Sequence, residues 1–412
     1  MIIQTSQDSG KINHMKANKI LFHFFLGLVV ICLTNCTEEF VPKTETFESL
    51  LVIEGNITNE LKQHKIQLSK TFRFEDESGT FGESNAEVIV VDSDQNEYVF
   101  EETDSGVYIS TTSFQAISGL EYTLSIRTSD GKSYVSDPVV LPAETEIDNL
   151  YAERMTNDDG LEGVGIFVDS FDATGNASFY RYEYAETYRF VAPSFSFFDL
   201  EVISEDPFVV DFTPRPIEKR TCYKTDLSTD IILAKTEGLN ENRISRFLVH
   251  FVGTDDYSIS DRYSIQVNQF VQSREAQVFY ETIEDFSGSE TLFSQIQPGF
   301  IAGNIEAIEN PDENVLGFFQ VSSVSSKRIF FNYRDFFVVE DLPPYFFSCE
   351  GIAPPIMPSP GIFTNTFNTG LFLFLEETGA NDTETGPYLI VPKECGDCTE
   401  VGSSEVPEFW EN

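Results

Sequence analysis

The thiol and imidazole side chains of this 412-residue chain are six cysteines and four histidines. Cys222, Cys349, Cys395 and Cys398 lie in its body, the last two as Cys395-Gly396-Asp397-Cys398. A C-x-x-C pair serves thiol–disulfide exchange at a helix N-terminus, or supplies half of a zinc site. The surroundings favour neither use. Residues 392–394 and 399–404 read as loop, and Cys222 and Cys349 stand singly where a four-cysteine zinc site needs a second pair. Structural disulfides are the default for an exported chain, and four cysteines allow three pairings. The favoured one joins Cys222 to Cys349 and Cys395 to Cys398, closing most of the second half of the chain and clipping its tail. A crossed pairing, which ties the tail to the body, is the alternative; zinc and redox use rank behind both. Of the histidines, His14 and His23 sit near the N-terminus. His250 lies in the strand-like run Phe247-Leu248-Val249-His250-Phe251-Val252 and reads as a half-buried strand residue, and His64 stands apart. H-E-x-x-H, G-x-S-x-G and the phosphate-cradling G-x-x-x-x-G-K-[ST] are all missing from the sequence. Acidic pairs such as Asp255-Asp256 are too common here to point to a glycosidase. Asp92, Asp94 and Asn96 have the spacing of a calcium loop, but Glu97 stands where the sharp turn needs Gly and Thr103 where a bidentate Glu belongs. That segment reads as a polar hairpin turn. No catalytic residue, metal site or cofactor is expected, and the chain reads as a non-enzyme.

A different chemistry is written at the N-terminus. Lys16 and Lys19 precede an apolar run over residues 20–33, which stops at Thr34. Such a run is too short to span a bilayer comfortably and suits the apolar core of a secretory signal. It ends in Leu33-Thr34-Asn35-Cys36, which resembles a bacterial lipobox, with Asn35 in place of the usual small residue. Cys36 is then the lipidated residue, and its acyl chains, at ~0.8 kcal/mol per buried CH₂, suffice for a stable anchor. Glu38 and Glu39 follow at once and look like the surface-export signal of Bacteroidota lipoproteins. Residues 1–35 are expected to be the signal peptide, with Met15 heading a segment of typical length, and residues 36–49 a lipidated tether.

The elements that must carry these residues are mainly β. With 68 acidic and 26 basic residues the formal charge is −42, a field that repels phosphate backbones, so nucleic acid is excluded as a partner. Hydrophobic residues make up 41% of the chain, including 39 Phe, enough for a large core. Between residues 50 and 145 short alternating runs recur, among them 51–58, 66–72, 87–92, 97–101 and 106–110. A further hairpin over 122–136 turns on Asp130-Gly131. This spacing predicts an immunoglobulin-like β-sandwich. Residues 146–412 read as a larger β-rich domain, fibronectin type III-like, with strands near 164–169, 178–184, 246–252, 262–270, 300–305, 315–321 and 327–331. One helix is expected from Ser273 as N-cap, with Ala276, Phe279, Tyr280, Ile283 and Phe286 at helical spacing. Residues 192–220, with four prolines, read as an insertion loop whose Phe195, Phe197 and Phe198 could form a binding surface or tuck into the core, the core being the favoured place for any one of them. A cysteine-containing tail closes the chain.

Several second-domain motifs together resemble a Bacteroidota lipoprotein family, domain of unknown function 4249. They are Thr221-Cys222-Tyr223, Arg262-Tyr263-Ser264 with Gln269 and Ser273, Gly303-Asn304-Ile305 and Val315-Leu316-Gly317-Phe318-Phe319. Ser325-Ser326-Lys327-Arg328, Glu394-Cys395-Gly396-Asp397-Cys398 and Pro407-Glu408-Phe409-Trp410 complete the set. The resemblance implies a partner of TonB-dependent outer-membrane transporters and brings no catalytic residues. The expected function is that of an outer-membrane, surface-facing lipoprotein, a non-enzymatic accessory or ligand-capture partner of such a transporter. A free-standing surface adhesin or structural lipoprotein is the other reading.

Overall fold

The structure is a computed structural model describing residues 49–72, 81–287, 301 and 303–411. The chain is mainly β, as expected. Its first core is enclosed by a curled antiparallel sheet. Leu51–Thr58 pairs with Lys65–Lys70, and Val107–Ser110, Glu97–Asp104, Glu87–Asp92, Glu121–Arg127 and Ser133–Ser136 follow in spatial order. Period-two alternation sends Ile53, Ile66, Leu68, Val90, Tyr122 and Leu124 inward, each at most 1% exposed. The loop over 92–97 is a turn, as its sequence suggests. The Asp92 carboxylate is consumed by the main chain of Asp94 and Asn96, the Asn96 side chain and the Tyr98 hydroxyl.

Taken by itself, the sheet from residues 51–136 has two edges, and bare edges are unfavourable for a sheet. Strands from far along the chain cover both. Ile305–Ala307 pairs antiparallel with Ser133–Ser136, and Leu316–Asn332 pairs parallel with Leu51–Thr58 through Thr58↔Ser322. Ile305, Ala307, Val315, Phe319 and Val321 thereby enter the first core. The sheet curls until these ends meet. The Asn304 amide donates to the Phe319 carbonyl (2.7 Å) and accepts from the Phe319 N–H (2.9 Å), standing in for a strand partner.

The sequence suggests separate strands over 315–321 and 327–331; the structure has one 17-residue strand. Its second half pairs antiparallel with Arg262–Val271, from Ser323 to Asn332. Phe179–Val191 and Thr221–Leu227 extend that sheet, and the three-stranded sheet Ile147–Thr156, Glu162–Phe171, Arg243–Gly253 packs over it. Between the two layers lie Val164, Ile166, Tyr182, Phe190, Tyr263 and Ile265. The long strand is thus shared by both sandwiches. The helix Arg274–Ser287 opens as expected, the Ser273 hydroxyl accepting from the Ala276 N–H (3.1 Å), and packs Phe279 on Phe318.

Two expectations need correction. Residues 192–220 do not form a loop: they carry the hairpin Phe198–Glu205 with Phe208–Pro214. Its inner face, Leu200, Val202 and Phe212, packs on the helix Gly361–Phe367 and the hairpin Phe372–Glu377 with Tyr388–Pro392. Only Phe195 reaches a core; Phe197 and Phe198 are 60% and 49% exposed. The disulfides are crossed: Cys222–Cys398 and Cys349–Cys395, not Cys222–Cys349 and Cys395–Cys398. The cause lies in the local backbone. Cys395 belongs to the short helix Lys393–Gly396 and Cys398 to the following 3-10 turn, with extended Asp397 between them. The two thiols are therefore directed to different neighbours, one to the Cys349 loop and the other to the strand Thr221–Leu227. Both sulfurs are inaccessible to solvent.

Candidate functional site

Cys36, Glu38 and Glu39 lie outside the described residues. Within the body, a cleft of about 800 Å³ opens where the two sandwiches share the long strand. Its floor follows from strand register. Residues with odd numbers on Leu51–Thr58, such as Ile53 and Ile57, face the first core, so Val52, Glu54 and Asn56 face outward. Parallel pairing sets Val52 beside Leu316, Glu54 beside Phe318 and Asn56 beside Gln320. On the other side Gln67 is opposite Glu54, and Lys65 lies two residues before it on the same strand face. The wall comes from the second sandwich and the helix. Arg181 and Glu183 project from Phe179–Val191, and Phe279, Tyr280 and Ile283 project from Arg274–Ser287.

Arg181 is held tightly. Its guanidinium lies over the Phe270 and Tyr280 rings, at 4.7 and 5.0 Å from their centroids, and pairs with the Glu183 carboxylate. Arg181 is 9% exposed, and its Nε has no hydrogen-bond partner. Gln320 is 2% exposed, and neither its carbonyl oxygen nor its amide nitrogen is partnered. Lys65 forms no ion pair among the described residues. Burial pushes the Tyr280 hydroxyl pKa up, so it stays a neutral donor. The cleft thus offers two cations, two carboxylates, three carboxamides and an aromatic wall.

The histidines lie elsewhere. His64 is a core residue; burial lowers its pKa to about 4 despite the hydrogen bond its Nε2 makes to the Phe114 carbonyl oxygen, so the ring is neutral at physiological pH. His250 is half-buried between the sheets of the second sandwich, its Nε2 3.3 Å from a Glu186 carboxylate oxygen that also accepts from Tyr263. Among the described residues no group of three or more His, Cys, Asp or Glu is placed to hold a metal ion. No described helix is long and apolar enough to cross a membrane.

The sequence motifs prove to be joints between distant segments. Asn304 grips Phe319, and Cys222 holds Cys398. Gln269 accepts from the Tyr182 hydroxyl and donates to the Thr145 carbonyl. Arg328 donates to Ser264 and Gln266 while lying 3.6 Å from the Phe409 centroid, and Trp410 packs edge-on to Tyr223 and Phe330. Sequence reasoning missed the cleft residues themselves. A signal was present in Phe179-Tyr180-Arg181-Tyr182-Glu183-Tyr184, where the charged residues share the face opposite the buried Tyr180 and Tyr182.

Fold and cleft together define a two-sandwich β protein with a concavity at the seam. The family described as Domain of unknown function (DUF4249) matches residues 37–328, well over half of the chain, and the chain belongs to that family. A comparison with curated proteins finds no match.

Proposed function

We propose that this chain is an outer-membrane lipoprotein, anchored through Cys36 and displayed at the cell surface. It acts there as a non-enzymatic ligand-capture partner of a TonB-dependent transporter. The observation that carries the reading is the pair of disulfides, spanning 176 and 46 residues, behind an N-terminal segment that ends in a lipidatable cysteine. Disulfides of this kind persist outside the cytoplasm, where a lipid-anchored body meets substrates before a transporter does. The lipobox and the acidic pair Glu38-Glu39 support anchoring and display. The cleft supplies a place for ligand on rigid strands, the usual setting of a preformed site.

The test is affinity purification of the tagged full chain from detergent-solubilised outer membrane. A TonB-dependent transporter recovered in near-equal amount is the expected result. A chain recovered alone, at yields where lipid attachment is intact, overturns the partnership and leaves a free-standing adhesin. Replacing Glu38 and Glu39 by Ala is expected to keep the lipid and abolish cleavage by protease added to intact cells; unchanged cleavage removes the export-signal assignment.

A further inference from the structure

We propose that the cleft at the seam binds short peptides, with Gln320 and Arg181 as the groups that read the peptide backbone and Lys65 as the contact for a carboxylate. The inference rests on the ligand-capture reading above and names the ligand class for that site.

The argument starts from unsatisfied polar atoms. A buried polar group without a partner costs about 1–3 kcal/mol. Gln320 presents one unsatisfied donor and one unsatisfied acceptor on a single planar amide, and Arg181 adds an unsatisfied N–H. A peptide group supplies an acceptor and a donor in one plane and so answers the Gln320 amide on both sides. Asn56 and Gln67 continue the row of carboxamides across the floor. The charges match the same ligand. With Arg181 and Glu183 paired to each other, Lys65 and Glu54 remain, one of each sign, which suits a molecule bearing both carboxylate and ammonium groups. Phe279, Tyr280, Ile283, Phe318 and Leu316 give an apolar wall for its side chains. The volume of about 800 Å³ falls in the ~300–1,000 Å³ range of small-ligand sites, so a few residues fit and a folded partner does not.

Other ligand classes fit less well. A fatty acid has no donor for the Gln320 carbonyl oxygen. A nucleotide or other polyanion meets Glu54, Glu183 and the field of a chain carrying −42. A neutral sugar leaves Lys65 without a counter-charge.

The experiment is equilibrium dialysis of the detergent-purified full chain against an unfractionated tryptic digest of casein, with retained peptides identified by mass spectrometry. Maltotriose and decanoate run alongside as polyol and fatty-acid probes. The expected result is retention of peptides a few residues long, with neither probe retained. Gln320→Leu removes the orphaned amide and keeps the side-chain volume. It is expected to lower peptide retention roughly ten-fold or more, the equivalent of one or two lost hydrogen bonds, while leaving the melting temperature unchanged or raised. Lys65→Met, a substitution at an exposed position, is expected to lower retention of peptides with free C-termini and to spare their amidated forms. The proposal is overturned if no peptide is retained, if maltotriose or decanoate is retained instead, or if folded Gln320→Leu protein holds peptides as the native chain does. None of these outcomes bears on whether a transporter co-purifies.

Discussion

Gly317→Ala tests the seam most directly. Gly317 sits on the long strand opposite Ile53, with φ at +108°. An added Cβ would lie 1.9 Å from the Ile53 carbonyl oxygen and 2.7 Å from its carbon, both backbone atoms of the adjoining strand. Neither can rotate away, so the strands must part by more than an ångström. Holding a non-glycine residue at such a φ costs about 1–3 kcal/mol. Parting the strands forfeits at least two ladder hydrogen bonds at about 1 kcal/mol each. A loss of about 3–5 kcal/mol follows, a large share of the ~5–15 kcal/mol that holds a typical protein folded. Gly370→Ala is the matched control: φ is +73°, and an added Cβ meets nothing within 4 Å. It carries only the left-handed backbone penalty of about 1–2 kcal/mol. Urea unfolding of the oxidised chain, followed by aromatic fluorescence, reads both midpoints. If Gly317→Ala unfolds at the same urea concentration as Gly370→Ala, the close approach of these two strands is wrong.

Further outcomes are expected. Non-reducing peptide mapping should return Cys222 linked to Cys398 and Cys349 linked to Cys395. Replacing Cys222 and Cys398 together by Ser should cost about 3–5 kcal/mol by the loop-closure argument for a span of 176 residues; recovery of a Cys395–Cys398 peptide would defeat the crossed pairing. Cys36→Ala should abolish incorporation of labelled fatty acid, and any label retained on the variant contradicts lipidation at that thiol. Burial acts to raise the Asp397 pKa, but hydrogen bonds from Lys219 and Thr399 outweigh it and hold the group below the usual aspartate value. Its contribution is therefore present above about pH 4 and lost as the pH falls through its lower folded-state pKa. Asp397→Asn should cost about 1–3 kcal/mol at neutral pH and progressively less in acid; a deficit independent of pH would rule out the charge as the cause.

The sequence was readable wherever one face of an element meets water. Leu51–Thr58, Glu87–Asp92 and Glu121–Arg127 alternate buried with exposed or half-buried positions, and the helix Arg274–Ser287 shows its apolar stripe. The long strand was not readable because residues 317–323 are buried on both faces, where the sandwiches meet. Alternation disappears there, and Ser322-Ser323 reads as a break. The hairpin in 192–220 was masked by Pro207 in its turn and Pro214 at its end, positions where proline is tolerated without stopping a strand. Disulfide pairing depends on where each side chain points, which linear spacing does not encode. The cleft was hidden for a related reason: its floor joins residues near 54, 67 and 320, and its wall adds residues near 181 and 280, so no contiguous stretch contains it.

The parallel pairing of Leu51–Thr58 with the long strand also has a mechanical side. A pull on the segment before Leu51 runs along that first strand. The long strand lies alongside it in the same direction and continues, away from the pulled end, into the second sandwich. The load therefore acts as shear on all seven register pairs from Val52 to Thr58 at once, and they cannot peel apart one after another. A load applied ahead of Leu51 is thus passed on to both sandwiches through their common strand.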